Sequence, residues 1–255
     1  MRVTFLGTGT SHGVPMIGCA CAVCRSSDPR NHRLRPAILV EEAGTTVLVD
    51  APPDFRTQAL RAGLLRLDAV LLTHAHADHI LGMDDLRAFT EKTNRAMPVW
   101  ATPRCLEAVR RVFAYACTDR PTWVTVPRFE LNPLTDAEAI RIGSLEVLPM
   151  QLPHGTVEVT GFLFSNRVAY LTDCNDVPAD VVARLRGVPV LILDGLRHRP
   201  HPTHLTIARA VELAGEIAAR QTYLTHICHE VEHAAAEASL PAHVRLAYDG
   251  LELEV

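Results

Sequence analysis

Val70-Leu71-Leu72-Thr73-His74-Ala75-His76-Ala77-Asp78-His79 runs from a short apolar stretch straight into four metal-ligating side chains within six residues. The apolar half reads as a buried strand and the polar half as the loop that leaves its end. Alternate positions in such a turn can aim His74 and His76 at one metal ion, while Asp78 and His79, opening the next helix, reach a second one nearby. Imidazole and carboxylate donors accept both Zn²⁺ and Mn²⁺, so the pattern names a metal site and not the metal.

The same design recurs outward from this stretch. Apolar runs also end in an acid or a histidine at His154, Asp173, Asp194 and His226, and Asp50 closes Leu48-Val49-Asp50. In layered α/β folds ligands are held by loops at one edge of the sheet, so these endings predict one site assembled from distant positions. Strand-like runs at 3–7, 37–41, 46–50 and 69–73 predict an opening β meander. Helix-like segments at 55–62, 103–116, 179–186, 206–219 and 230–238 lie between further apolar strands. Mixed sheets with helices outside them are implied.

With 255 residues, 48% of them hydrophobic and 21% charged, the chain can build a full core, and no low-complexity linker or repeat divides it, so 1–255 reads as a single domain. A net charge of −4 argues against stable nucleic-acid binding through a broad basic surface. The start Met1-Arg2-Val3-Thr4-Phe5-Leu6-Gly7 lacks a signal peptide's apolar run, and no stretch approaches the ~20 apolar residues of a membrane span. The expectation is a soluble cytoplasmic protein, where seven cysteines are read as thiolate ligands and free thiols and not as a disulfide framework.

The His-x-His-x-Asp-His signature resembles that of the metallo-β-lactamase superfamily, and the resemblance extends over nearly the whole chain. It implies a four-layer αββα sandwich with two mixed β-sheets. His74, His76 and His154 would hold one divalent ion, Asp78, His79 and His226 the other, and Asp173 would bridge them. Asp173 is preferred to Asp176 because it closes the apolar strand. Asp50 is similar to the superfamily's early aspartate that supports the site from behind the ligands. Asp194 reads equally as such a support or as a simple turn acid.

Gly18-Cys19-Ala20-Cys21-Ala22-Val23-Cys24 places three thiols within six residues, and a tetrahedral structural zinc needs a fourth ligand, a histidine or the distant Cys228. The resemblance favours His229, three residues after His226, as in a subset of the superfamily. Such a zinc would staple the N-terminal loop to a C-terminal helix start. Cys105, Cys117, Cys174 and Cys228 are read as buried small hydrophobes. His12, His32, His198, His201, His233 and His243 are read as loop or surface residues, with His12 and His201 nearest the pocket.

Gly7-Thr8-Gly9-Thr10-Ser11-His12-Gly13-Val14-Pro15, the cysteine loop, Asp50-Ala51-Pro52-Pro53-Asp54 and the His226/His229 pair together resemble the PhnP-type cyclic phosphodiesterases of the carbon–phosphorus lyase pathway of phosphonate degradation. Pro52 stands where that pattern has glycine. The resemblance implies hydrolysis of a small cyclic phosphodiester, such as a ribosyl 1,2-cyclic phosphate or a 2′,3′-cyclic nucleotide, by a hydroxide bridging two divalent ions (Mn²⁺ or Zn²⁺). His204, in His201-Pro202-Thr203-His204-Leu205-Thr206, would protonate the leaving oxygen in preference to His201, and Asp78 would double as a proton acceptor. The plainer role for His204 is to cap the helix starting near Thr206. A homodimer is the family-level expectation. The alternatives are a tRNA 3′-processing endonuclease, a lactone or thioester hydrolase, and a non-catalytic protein of cofactor biosynthesis.

Overall fold

The computed structural model describes residues 1–117 and 125–255. Its first sheet contains β1 (Arg2–Gly7), β2 (Ala37–Glu42), β3 (Thr45–Val49), β4 (Ala69–Leu71), β5 (Met97–Ala101) and β6 (Phe129–Pro133), in chain order, with β14 (Glu252–Glu254) on the outer side of β1. The second contains β7 (Ile140–Ile142), β8 (Leu145–His154), β9 (Val157–Phe164), β10 (Val168–Leu171), β11 (Val190–Asp194), β12 (Gln221–Thr225) and β13 (Val244–Leu246), again in sequence order across the sheet. β1 to β3 form the antiparallel meander expected from the sequence, and β3 to β6 then run parallel. In the second sheet β7 to β10 are antiparallel and β10 to β13 parallel.

Three apolar layers hold these sheets together. Phe5, Ile38, Val47, Val49 and Leu71 of the first sheet face Phe162, Phe164, Val168, Tyr170 and Ile192 of the second. The alternate residues Leu39, Leu48 and Val70 pack outward against α1 (Phe55–Arg61), α3 (Arg87–Thr93) and α4 (Pro103–Val112) through Phe55, Phe89, Leu106 and Val109. On the other side Leu171, Leu191, Leu193 and Leu224 pack against α5 (Ala179–Leu185), α6 (Ile207–Ile217) and α7 (His233–Ser239). This is the αββα sandwich. Both faces of the central strands are buried, which is why they read as continuous apolar runs instead of alternating ones.

Element ends differ from the sequence reading where side chains compete for the backbone. The segment 103–116 is helical only to Val112, with a single 3₁₀ turn at Ala114–Ala116. The last helix begins at His233 and not at 230, because Glu232 caps Ala235 N while Glu230 is drawn into ion pairs with Arg197 and Arg199. The helix expected to open at Asp78 and His79 is the four-residue α2 (Ala77–Ile80), whereas α3 and the long β8–β9 hairpin were missed. Seven residues with two apolar side chains, as in α3, carry too few apolar repeats to show a 3.6-residue period.

His233 is not a surface histidine: it is 2% exposed, and its Nδ1 lies 3.0 Å from the buried Arg33 Nη2. Arg33 also donates to Thr8 Oγ1 and Ala247 O, while Asn31 accepts from His233 N, so the N-terminal loop is fastened to the start of α7. Burial, then Arg33 and Arg30, push the His233 imidazole down to about 4. The fold therefore needs the neutral ring, whereas the unfolded chain takes up a proton near pH 6.5. Stability from this contact is full above about pH 6.5 and is lost as the pH falls toward 4. Urea denaturation of wild type and His233→Gln from pH 7.5 to 4.5 should show the stability gap between them narrowing on acidification; a constant gap would remove His233 from the acid response.

Candidate metal centre

The parallel strands β3, β4, β10, β11 and β12 all point their C-terminal ends at one edge of the sandwich, and β8 ends there too. Thr160 N donates to Thr73 O at 2.9 Å and ties the two sheets together at that edge. Asp50 (φ 62°), Asp173 (φ 57°) and His226 (φ 62°) each adopt a left-handed backbone within two residues of their strand's end. For a non-glycine residue this costs on the order of 1 kcal/mol, a strain characteristic of functional positions.

The side chains converge in two adjoining groups. His74, His76 and His154 bring ring nitrogens within 4.8 Å of one another, and so do the donor atoms of Asp78, His79, Asp173 and His226. Asp173 also falls within that reach of His154 and His204, which puts it between the groups. Asp176 stays at the surface, 3.6 Å from Arg209.

Hydrogen bonds behind the rings fix which nitrogen each presents. His79 Nδ1 donates to Asp50 Oδ2 at 2.7 Å, and Thr73 Oγ1 donates to the same oxygen at 2.8 Å. The Thr73 hydroxyl oxygen is thereby free to accept from His74 Nδ1 at 3.0 Å. His154 Nδ1 donates to Thr203 O at 2.9 Å. His74, His79 and His154 therefore all present Nε2, the arrangement used to orient metal-ligating imidazoles. Asp50 Oδ1 additionally accepts from Thr73 N at 2.8 Å. The Pro52 loop is seated by Ala51 N donating to His79 O and Gly82 N to Ala51 O, both at 2.8 Å. A Cβ on Gly82 would come 1.9 Å from the backbone carbonyl oxygen of Pro52, so glycine is required at 82 by the close approach of this loop.

The presented atoms lack the partners that burial demands. His79 Nε2 lies 3.4 Å from Asp78 Oδ2 and from Asp173 Oδ2, and His226 Nε2 lies 3.1 Å from Asp173 Oδ1, but His79 Nε2 and both His226 nitrogens are buried with no hydrogen bond. His74 Nε2 faces His76 Nδ1 at 2.8 Å, nitrogen to nitrogen. Burial, opposed and outweighed by the neighbouring His226 and His79, leaves the Asp173 carboxyl well below the usual range. Burial also lowers His74 and His154, keeping them neutral. Against burial, Asp173 raises the His79 and His226 imidazoles, so a divalent cation there would displace their protons, while the carboxylates and the neutral His74 and His154 are ready to bind it.

At the other side of the His226 turn, Cys19, Cys21, Cys24 and His229 bring their donor atoms together, with His229 Nδ1 3.4 Å from Cys19 Sγ and 3.5 Å from Cys21 Sγ. Met16 N donates to Cys24 Sγ and Cys24 N to Cys21 Sγ, as backbone amides do around thiolates. The Cys24 N–H and then His229 pull the Cys21 thiol down to about 6. This donor set fits one tetrahedral zinc. His229 lies in the turn four residues before α7, and not at the helix start. Cys105, Cys174 and Cys228 are buried as expected, while Cys117 is half-buried.

A cleft of about 320 Å³ opens over the centre, lined by His76, Asp78, His154, Asp173, His204 and His226 together with Ser11, Thr156, Val157 and Thr203. His204 Nδ1 donates to the fully buried Asp194 Oδ2 at 2.8 Å, and its ring stacks on His226 with centroids 4.6 Å apart. Asp194 also accepts from Leu196 N, so both readings of that acid hold. Thr206, not His204, caps α6. His201 lies behind His204, with ring centroids 5.0 Å apart, and neither it nor His12 is among the lining residues; Thr203 and Ser11 take those places. Of the groups missed in the sequence, Thr73 stood next to the signature and carried a hydroxyl at a strand end, while Ser11, Thr156 and Thr203 carried no signal.

Residues 45–227 match the family model described as the Beta-lactamase superfamily domain, and the chain belongs to that family. Among solved structures it is similar to a diphosphatase from the PhnP family, with a TM-score of 0.92 and 43% identity, covering 100% of this chain and 97% of that one. Among curated proteins it is 38% identical over 255 residues to an octanoyltransferase of Porphyromonas gingivalis, matching 99% of this chain but 51% of that protein. It is 33% identical over 168 residues to a ribonuclease Z of Bradyrhizobium diazoefficiens, across 64% of this chain and 50% of that protein. The chain thus spans about half the length of these curated relatives. The fold and its His/Asp and Cys/His clusters offer donor sets suited to divalent metal ions. No helix among the described residues is long and apolar enough to cross a membrane.

Asp50 is the support on which this geometry can be tested without turnover. Asp50→Ala would leave His79 Nδ1, Thr73 N and Thr73 Oγ1 without their acceptor in a fully buried place. Chemical denaturation should show a loss of roughly 3 kcal/mol or more; a loss below about 1 kcal/mol would mean that water replaces the carboxylate.

Proposed function

We propose that the protein is a metal-dependent phosphodiesterase that opens small cyclic phosphodiesters to monoesters. His74, His76 and His154 would hold one divalent ion, Asp78, His79 and His226 a second, with Asp173 shared, and Cys19, Cys21, Cys24 and His229 a structural zinc. When bound, the ion pair supplies Lewis acidity, activating water and neutralising charge on phosphoryl oxygens. Mn²⁺ and Zn²⁺ both suit the nitrogen and oxygen donors.

The observation that carries the reading is the Asp194–His204 pair. Asp194 takes the proton side of Nδ1, so Nε2 is the atom His204 offers to the cleft, beside the shared Asp173. There the ring in its doubly protonated form, its charge balanced by the Asp194 carboxylate, gives its Nε2 proton to the leaving oxygen and returns to the Nδ1–H tautomer, the step that an alkoxide leaving group requires. Asp78 is opposed by burial but held well below the usual carboxylate range by His79, so it stays ionised, which suits it to hold a metal ion better than to accept a proton. The resemblance to a diphosphatase of the PhnP family and to a ribonuclease Z supports chemistry at phosphorus. Among the described residues no lysine or arginine lines the cleft, which favours a small substrate over a gripped RNA.

Metal-reconstituted protein should hydrolyse bis-p-nitrophenyl phosphate and a 2′,3′-cyclic nucleotide. His204→Ala should lower kcat at least about 100-fold, and Asp194→Asn about 10-fold, with KM moved less than kcat. Protein carrying its full metal complement but inert toward both substrates would overturn the reading. In elemental analysis Cys19→Ser should lose one zinc per chain and keep the other ions, whereas Asp173→Ala should lose the latter; equal metal content in wild type and Cys19→Ser would remove the structural zinc.

A further inference from the structure

We infer that His201 is a positioning residue: through Thr203 it holds the proton donor His204 and His154 in register with one another. His201 Nδ1 accepts from Thr203 N at 3.3 Å and from the Thr203 hydroxyl at 3.1 Å. The contact closes a turn onto the residue two places on, as asparagine and aspartate side chains do with their own backbone. A nitrogen that accepts from a backbone amide carries no proton, so the ring is the Nε2–H tautomer. Thr203 is the point where the two histidines meet. Its carbonyl accepts from His154 Nδ1 at 2.9 Å, and that carbonyl belongs to the same planar peptide unit as His204 N. Its side chain packs on the turn after His154, where a Cβ on Gly155 would come within 2.7 Å of Thr203 Cγ2. The rings of His154 and His204 lie 5.0 Å apart across this link.

Little else fixes this segment. Pro200 and Pro202 have no N–H to give, and among the described residues no backbone–backbone hydrogen bond involves residues 198–204. The Arg197 guanidinium holds the Arg199 and Pro200 carbonyls on one side, and Leu205 N donates to Cys174 O at 2.9 Å on the other. Between these ties Thr203 is held by His201 at its N–H and by His154 at its carbonyl. With His201 gone, the Thr203 carbonyl is free to turn away from His154, and the peptide that carries His204 turns with it. His154 Nε2 then loses its aim at the centre in the same motion that moves the His204 ring off Asp194. Both losses pass through one peptide unit, so they rise and fall together. His201 does not line the cleft, so substrate affinity is not its to change.

This inference rests on the phosphodiesterase reading for its turnover arm and has a metal-binding arm of its own. Asparagine Oδ1 takes the place of imidazole Nδ1, whereas the glutamine amide reaches the place of Nε2, so His201→Asn keeps the turn and His201→Gln breaks it. Protein with zinc loaded on its thiolate cluster is titrated with Mn²⁺, free Mn²⁺ being read by electron paramagnetic resonance. Turnover of bis-p-nitrophenyl phosphate at saturating Mn²⁺ gives kcat and KM. His201→Gln should bind one Mn²⁺ ion about 10-fold more weakly and lose about 10-fold in kcat with KM unchanged, while His201→Asn should stay within about 2-fold of wild type in both. Should no phosphodiester turn over, the phosphodiesterase reading fails and the Mn²⁺ affinities alone decide. Wild-type Mn²⁺ affinity in His201→Gln overturns the role, and so does His201→Asn as impaired as His201→Gln. Weaker Mn²⁺ binding with kcat unchanged overturns the coupling to His204. A contact that only braces the loop would lower the urea midpoint of His201→Gln and leave Mn²⁺ affinity and kcat where they were, which equally overturns it.

Discussion

Three carboxylates are buried at the ends of three strands, and each faces an imidazole: Asp50 meets His79, Asp173 meets His226, and Asp194 meets His204. Asp50 and Asp194 are fully buried and Asp173 is 2% exposed. An unpaired carboxylate in such a place costs several kcal/mol, so each acid requires its partner: His79 arrives from α2 after β4, His226 from the end of β12, and His204 from the connection that follows Asp194's own strand. At this edge Asp50 N donates to Leu71 O and Gly195 N to Thr225 O, joining β3 to β4 and β11 to β12. The apolar layers would tolerate small sliding of one sheet over the other; what crosses between the sheets at this edge is His79 Nε2, 3.4 Å from Asp173 Oδ2, and Thr160 N donating to Thr73 O.

The histidines divide according to how they are held. His74, His79, His154 and His204 each anchor Nδ1 on an oxygen behind the ring. His226 has no such anchor at either nitrogen, so its place must come from its backbone. Ile227 N donates to Thr8 O, Thr10 N to Ile227 O and Cys228 N to Leu196 O, which stitch the turn to the N-terminal loop and to the end of β11. His229 then reaches the three cysteines. The cluster at Cys19, Cys21, Cys24 and His229 is thus the far end of a clamp whose near end is His226, joined through a three-residue turn. Arg33, Asn31 and His233 provide a parallel fastening between the same two regions, without thiols.

Much of the fold was legible because the strands' apolar runs are uninterrupted and their last residues are chemically conspicuous. The signature at His74, His76, Asp78 and His79, the acids at 50, 173 and 194, and the pair His226 and His229 all arrive at the positions their strand endings imply. Hidden from that reading were features set by three-dimensional proximity alone. His233 looks like any polar helix start until Arg33, two hundred residues away in sequence, is seen against it. Gly82 looks like any loop glycine until the backbone carbonyl of Pro52 is seen against it, where a Cβ would clash. Ser11, Thr156 and Thr203 line the cleft through loop positions that no periodicity marks.

Charge in the cleft is left to what binds there. Among the described residues its lining is imidazole, carboxylate and small hydroxyl groups, with no fixed cation, so attraction for an anion would rest on ions held by these donors. The fully buried Asp194 keeps His204 in one orientation on the same wall, which is what a group that hands over a proton needs.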